Sequence, residues 1–245
     1  MAEPAHATAT TSVRPSAAEP PGWLRQTLIL YRKDLTIELS TGEVVTTSSF
    51  FALLVVIMAS LAFYGGPETR RLVASGVIWL SIAFAAVLAL GRTWQREREE
   101  GALEGLLISP VSRSAIFAGK ALGVLTFLCI VELVVMPAAA LLFALEPSEV
   151  FGGFALIALA ATPGVAASGT LFGAMTVRTR ARDLLLSIVL FPLLSPTLLA
   201  AVAATRELLG GTPALELWDY VQLMLVFDVT FVAGGLALFG TLVEN

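Results

Sequence analysis

Histidine and cysteine are almost absent from this chain of 245 residues, which contains one of each. The single cysteine, Cys129, excludes an intramolecular disulfide and a thiolate cluster around a metal ion. We interpret it as a small apolar residue of a buried helix. The single histidine, His6, lies near the start, so the apolar part of the chain lacks the commonest general base. Because no nucleophile–base pair is visible either, we expect no enzyme active site.

Charged residues are also scarce: they make up 14% of the sequence, whereas 57% is hydrophobic. A soluble domain is about 25% charged because it needs polar residues to cover its surface. Four runs contain no Asp, Glu, Lys or Arg, namely 44–67, 72–91, 151–177 and 184–205. Two further runs carry one acid each, Glu132 in 121–145 and Asp228 in 220–243. Since about 20 apolar residues span the hydrocarbon layer as a helix, the sequence predicts an all-α integral membrane protein with six transmembrane helices.

A phosphate-binding loop of the G-x-x-x-x-G-K-[ST] type is missing as well. Gly119-Lys120 is a partial match only, because Ser114 and Ala121 stand where the pattern needs glycine and Ser or Thr. If ATP drives this protein, we expect ATP to bind to a separate chain.

The cations are distributed unevenly between the two sides of the predicted bundle. If each run crosses once, the residues up to 43, the stretch 92–120 and the stretch 178–183 share one side. That side holds twelve of the 15 Lys and Arg residues: Arg14, Arg25, Arg32, Lys33, Arg92, Arg96, Arg98, Arg113, Lys120, Arg178, Arg180 and Arg182. The positive-inside rule then places both termini in the cytoplasm, with Arg178, Arg180 and Arg182 as cytoplasmic anchors of the fourth span.

The segments outside the spans have distinct compositions. Residues 1–21 are rich in Ala, Pro, Thr and Ser and lack the apolar core of a secretory signal, so we expect a disordered tail. Residues 22–245 then form the membrane domain. Its first segment, 22–41, has an apolar stripe at helical spacing and predicts a helix lying in the membrane interface, with an ordinary cytoplasmic helix as the alternative. We expect segment 206–219 to form a re-entrant or interfacial helix.

Proline and glycine mark the fourth span. Pro163-Gly164 lies near its middle and predicts a bend or a break. Gly169-x-x-x-Gly173 follows, a spacing that lets two membrane helices approach closely.

The most charged part of the sequence is residues 92–113, called the charged loop below. Its pattern predicts a short amphipathic cytoplasmic helix between spans two and three, ended by Pro110, with glutamates on one face and leucines on another. Such a helix suits docking onto an energy-supplying partner, although a solvated linker would have similar charge content. The candidate coupling residues are Arg92, Glu97, Glu100, Gly101, Leu103, Glu104, Leu107 and Arg113.

Residues 97–113, EREEGALEGLLISPVSR, resemble the coupling-helix region of type-2 ABC-transporter permeases. Together with 31–39, 176–182 and 227–229, they resemble more narrowly the permease of the cytochrome c maturation system, haem exporter protein B. The resemblance covers about residues 23–243, and the long tail departs from it. It implies six helices with an N-terminal elbow helix and a cytoplasmic coupling helix, in the bacterial inner membrane.

By this resemblance, the chain is the permease subunit of an ABC complex. It would couple ATP hydrolysis by a separate ATPase subunit to haem delivery, or to release of a haem-loaded chaperone, on the periplasmic side. The implied partners are that ATPase, other cytochrome c maturation membrane proteins, the haem chaperone, membrane lipid and a second copy of the chain, but no nucleic acid. Because haem iron is usually held by His, Cys, Met or Tyr and no span contains histidine, we expect partner subunits to handle haem. We expect no cofactor or metal bound directly.

Two other functions fit the same residues. An ABC-2 exporter of a drug or glycan would share the charged loop, and a scaffold that assembles partners without transport would need no coupling. The intramembrane acids Glu132 and Asp228 also have two interpretations. Because a charge at mid-membrane costs about 2.5–3.5 kcal/mol, each acid is either functional, as a subunit contact or a polar element of a moving interface, or forms a structural hydrogen bond between helices.

Overall fold

The computed structural model describes residues 21–63, 65–99, 101–176 and 182–244, with their side chains except those at 99, 103, 147–151, 176, 182–187 and 244. All regular structure in these ranges is helical. The helices are α1 Trp23–Thr41, α2 Glu43–Ala62, α3 Pro67–Glu99, α4 Ala102–Ile108, α5 Arg113–Leu142, α6 Pro147–Thr176, α7 Arg182–Leu209 and α8 Trp218–Glu244, with a 3₁₀ helix at Ala214–Leu217 before α8. Over the described ranges, α2, α3, α5, α6, α7 and α8 are long and apolar enough to cross a membrane, which confirms the predicted six spans.

The first two helices meet at a glycine corner. Gly42 has a φ of 62°, in the left-handed region that favours glycine. Its N–H donates to the Glu38 carbonyl over 2.6 Å, which ends α1. The Glu38 carboxylate accepts a 2.8 Å hydrogen bond from the Val45 N–H in the first turn of α2. The corner therefore fixes where α1 stops and the first span begins.

Among the buried clusters that hold the bundle together, two contain large aromatic side chains and lie towards opposite ends. At the end that carries the 3₁₀ helix, Trp79 packs against Phe154 and donates to the Thr205 hydroxyl over 2.8 Å. At the end that carries α4, Trp94, Phe117 and Phe239 form the second cluster. Burial of these large aromatic side chains stabilises the helix packing at both ends of the bundle.

The proline-containing spans are continuous helices. α6 runs unbroken through Pro163, and α7 runs through Pro192 and Pro196. The expected break at Pro163 was therefore wrong, since packing on the surrounding helices holds α6 helical on both sides of the proline.

The expected helix at 206–219 was wrong too. α7 continues to Leu209, a turn follows at Gly211 with a φ of 98°, and only the 3₁₀ helix precedes α8. Leu217 of the 3₁₀ helix is buried in the core, so this segment packs against the end of the bundle.

Candidate functional site

A group of four charged residues, three of them buried, lies where α1, α3 and α5 meet, and we call it the ion cluster. It consists of Lys33 and Asp34 of α1, Glu97 near the end of α3 and Lys120 of α5. Lys120 is 2% exposed. Its Nζ lies 2.8 Å from Asp34 Oδ2 and contacts Glu97 Oε1, which Lys33 also approaches to 3.0 Å. Two cations and two carboxylates balance, so the cluster is neutral as a whole.

Such a cluster joins its elements firmly because each charge depends on its neighbours. Breaking a buried ion pair by removing one partner costs about 3–5 kcal/mol, since an uncompensated charge remains. The ion cluster continues into a second, more exposed set of pairs between α1, α2 and α3. There Arg92 lies 2.9 Å from Glu43, and Arg96 lies 3.2 Å from Glu43 and 4.0 Å from Glu38.

Helix α1 is attached to α5 along much of its length. Trp23 Nε1 donates to the Ser114 hydroxyl over 3.0 Å, and the Ser112 N–H donates to the Gln26 side chain over 2.8 Å. Ser112 also caps α5 by accepting from the Ala115 N–H. The start of α5 is thus fixed to α1 just beyond α4.

Helix α1 buries several polar residues against the protein and exposes several leucines. Gln26, Asp34 and Glu38 are buried, whereas Leu24 and Leu28 are exposed. A helix on a soluble surface has the opposite arrangement. Leucines facing outwards suit a hydrocarbon environment, which favours the predicted interfacial position of α1.

The short helix α4 lies in the charged loop and begins at a glycine corner. Gly101 has a φ of 61° and separates α3 from α4. The predicted common face of Glu97 and Glu104 was therefore wrong, because the two residues belong to different helices. Glu97 is 4% exposed inside the ion cluster, so its carboxylate does not face a partner, whereas Glu104 is exposed.

The apolar side of α4 is divided between its own core and the exterior. Leu106 and Leu107 pack against the cluster around Trp94 and Phe117, so Leu107 anchors α4 to the bundle. Ile108, by contrast, is 87% exposed. Ile108 follows Glu104 by four residues, which puts both on one outward face of the helix.

The second end of the charged loop is held by Arg113, the first residue of α5. Its Nη2 donates to the Leu107 carbonyl over 2.8 Å, which satisfies an acceptor near the end of α4. Arg113 also lies against Gly240 of α8. Arg113 thus ties α4 to both α5 and α8.

The paired glycines of α6 lie against α3. A Cβ on Gly169 would come within 2.3 Å of Leu90 Cδ1, and one on Gly173 within 2.2 Å of Trp94 Nε1. Such distances leave no room for a side chain. The contact partners are themselves four residues apart, so the two helices fit along one face as expected for small residues in membrane helices.

The two intramembrane acids are buried at helix contacts. Glu132 of α5 accepts a 2.5 Å hydrogen bond from the Thr162 hydroxyl of α6. Asp228 of α8 lies against Gly164 of α6, where a Cβ would be 2.2 Å from Asp228 Oδ1. The absence of a side chain at Gly164 thus makes room for the second acid.

A cavity of about 400 Å³ lies between α5 and α6 beside the first acid. Glu132 and Thr162 contribute its polar surface, and Cys129, Met136 and Phe154 are among its apolar lining residues. The cavity extends the contact between the two helices, and its walls match an apolar occupant.

Comparison with known proteins identifies the family. A family model described as CcmB protein matches residues 25–241. The chain belongs to the CcmB protein family. It is similar to Heme exporter protein B of Bradyrhizobium diazoefficiens, with 29% identity over 184 residues that cover 74% of this chain and 82% of the relative. Heme exporter protein B of Rhodobacter capsulatus is also 29% identical, covering 73% and 81%. Heme exporter protein B of Pseudomonas aeruginosa is 26% identical, covering 85% and 95%.

The CcmB match begins within α1 and ends within α8, so it includes the ion cluster, α4 and both acids. Some predicted residues fall outside the described structure. Glu100, Arg178 and Arg180 are not described, and the side chains of Leu103 and Arg182 are not described either.

Two residues of this CcmB chain were missed by the sequence patterns. Lys120 was noted only as one of the cytoplasmic cations and as part of a false phosphate-loop match, although a lone cation at the start of an apolar span signals a buried partner. Ile108 was passed over because Leu106 and Leu107 carry the stronger apolar signal. Its spacing from Glu104 could have revealed the outward face of α4.

Proposed function

We propose that this chain is the membrane permease subunit of an ABC complex for cytochrome c maturation. It couples ATP hydrolysis by a separate ATPase subunit to haem delivery, or to release of a haem-loaded chaperone, on the periplasmic side. Membership in the CcmB family and the name Heme exporter protein B of its relatives support the pathway. The observation that carries the coupling role is α4, a short helix with an outward Glu104–Ile108 face that is anchored to the bundle at both ends.

The anchoring supports coupling because a displacement of α4 by the ATPase is transmitted to the transmembrane helices. Leu107 seats α4 on the aromatic cluster, Arg113 ties its end to α5, and the ion cluster holds the end of α3. A solvated linker without these contacts would absorb the motion. We therefore assign α4 as the cytoplasmic coupling helix and α1 as the interfacial elbow helix, in the bacterial inner membrane with both termini in the cytoplasm.

ATP binds to the ATPase partner, and haem is handled by other subunits and the haem chaperone. The sequence supports this division, because it lacks a phosphate loop and has no histidine beyond His6. The purified chain mixed with haem should therefore show the absorption spectrum of free haem. A shifted Soret band that disappears in a Cys129→Ala variant would contradict this part of the proposal.

The remaining proposed contacts are with membrane lipid and a second copy of the chain. α2 and α8 bury the smallest share of their apolar windows, 28% and 22%. Their outward apolar surface suits lipid and a symmetric partner.

The docking proposal is tested with the chain co-expressed with its ATPase subunit. The double variant E104K/I108S reverses the charge and removes the apolar contact on the outward face of α4. We expect it to weaken ATPase co-purification by roughly tenfold or more, since one or two central residues dominate the binding energy of an interface. Cytochrome c yield in cells should fall in parallel.

The matched control is Leu215→Ser. Leu215 is 91% exposed in the 3₁₀ helix at the opposite end of the bundle, so its substitution also removes an exposed branched apolar side chain. If E104K/I108S co-purifies with the ATPase at the wild-type level, as the control should, α4 is not the docking helix. That result would favour the scaffold alternative.

A further inference from the structure

Lys120 of α5 forms ion pairs with Asp34 of α1 and with Glu97 near the end of α3. We infer that Lys120 is a positioning residue: its ammonium makes α1, the end of α3 and the start of α5 move as one body when α4 is pushed. The inference rests on the proposed function, because it concerns how motion at α4 reaches the spans.

The position of α4 in the chain explains why this connection matters. On one side, Glu97 lies two residues before the end of α3, and Gly101 follows as the corner into α4. On the other side, α5 begins at Arg113 and carries Lys120 two turns later. The Lys120–Glu97 contact therefore connects the two helices that flank α4. The end of α3 and the start of α5 cannot separate without breaking this ion pair.

The connection to α1 depends on close packing. A Cβ on Gly119 would come within 2.7 Å of Leu30 Cβ and 3.1 Å of the Thr27 carbonyl oxygen. The missing side chain lets α1 lie directly on α5, close enough for the short Asp34 carboxylate to reach Lys120. Gly123, one turn further on, lies beside Asp34. The α1–α5 contact and the ion cluster are thus one arrangement.

The opposite charges of the ion cluster hold the three helices in fixed positions. Asp34 and Glu97 belong to different helices and repel each other, and the side chains are 9% and 5% exposed, so solvent screens them little. A cation between them fixes both positions at once. A buried ion pair can often be replaced by apolar groups without loss of stability, so a neutral replacement can separate the role in motion from the role in folding.

The test uses two charge-matched double variants in the complex with the co-expressed ATPase subunit. K120M/E97Q removes one cation and one carboxylate and leaves Lys33 and Asp34, which lie 3.8 Å apart. K33Q/E97Q removes the ion pairs of Glu97 with both lysines and keeps Lys120 paired with Asp34. Both keep the cluster neutral.

We expect both complexes to assemble in wild-type amount and to hydrolyse ATP. The cytochrome c yield per ATP hydrolysed should fall by roughly three- to thirty-fold, the range in which residues between two sites modulate coupling. R206Q/E207Q, which removes one cation and one acid near the end of α7, is the control and should keep the wild-type ratio. If K120M/E97Q fails to fold, K33Q/E97Q decides the matter, because its buried cation keeps a partner.

The outcomes separate the inference from the proposed function. Wild-type yield per ATP in the two double variants would overturn the positioning role of Lys120 and leave α4 docking intact. A wild-type complex that hydrolyses ATP without supporting cytochrome c formation would overturn both. A reduced amount of complex with an unchanged ratio would show that the cluster serves folding alone, and would also overturn the inference.

Discussion

Buried polar residues of this chain differ in how much they depend on their neighbours. Lys120 is held by carboxylates from two other helices, whereas Glu132 has a hydroxyl partner on α6. An ion pair fixes both distance and charge, while a hydrogen bond to a neutral hydroxyl lets the acid keep or lose its proton. Lys120 is therefore stabilised by ion pairs near the ends of helices, whereas Glu132 is stabilised by a hydrogen bond within a span.

The hydrogen bond between Thr162 and Glu132 gives a prediction at the scale of one residue. Thr162→Val keeps the shape of the side chain but removes the donor. We expect the free energy of unfolding to fall by about 0.6–1.7 kcal/mol, the range measured for hydrogen bonds between membrane helices. Unfolding in detergent micelles, followed by steric trapping, measures the change.

A second threonine provides the control for that measurement. The Thr230 hydroxyl donates to the Val226 carbonyl of its own helix and is exposed. Thr230→Val should therefore change the stability much less. Equal effects of the two substitutions would show that the bond to Glu132 contributes no specific stabilisation.

At the scale of a helix, two glycines set how closely α6 approaches α3. The Cβ added by Gly173→Ala would meet the rigid indole of Trp94 at 2.2 Å. Because the indole is buried and cannot move aside, we expect a loss of stability of about 1–3 kcal/mol, typical of overpacking. Thermal unfolding of the purified protein measures this loss.

Gly76→Ala is the matched substitution within α3. A Cβ there would meet no atom within 4 Å, and alanine has the higher helix propensity. We expect unchanged or slightly raised stability for Gly76→Ala. If Gly173→Ala behaves in the same way, α3 and α6 are not in the close contact described above.

At the scale of the whole molecule, the six spans put α4 and the 3₁₀ helix at opposite ends. The single native cysteine allows this topology to be tested, since a Cys129→Ala background has no other thiol. In spheroplasts, a membrane-impermeant maleimide should label Leu215→Cys. It should label Ile108→Cys only after the membrane is permeabilised. The reverse pattern would place both termini in the periplasm.

The class of the molecule, the number of its spans and the uneven distribution of its cations could be predicted from the sequence. These properties follow from composition and length, because a run of about 20 apolar residues has one stable place, across a membrane. The end of α4 before Pro110 could also be located, since proline restricts the backbone locally.

Tertiary structure alone decided which charged and apolar residues face inwards. Glu97 and Glu104 look equivalent in the sequence, yet Glu97 is buried beside Lys120, and Glu104 is exposed on α4. Likewise, Leu107 packs against the core and Ile108 is exposed. The physical reason is that burial depends on residues distant in sequence: Lys120 can meet Asp34 only because Gly119 lets α1 approach α5, and no local pattern records that approach.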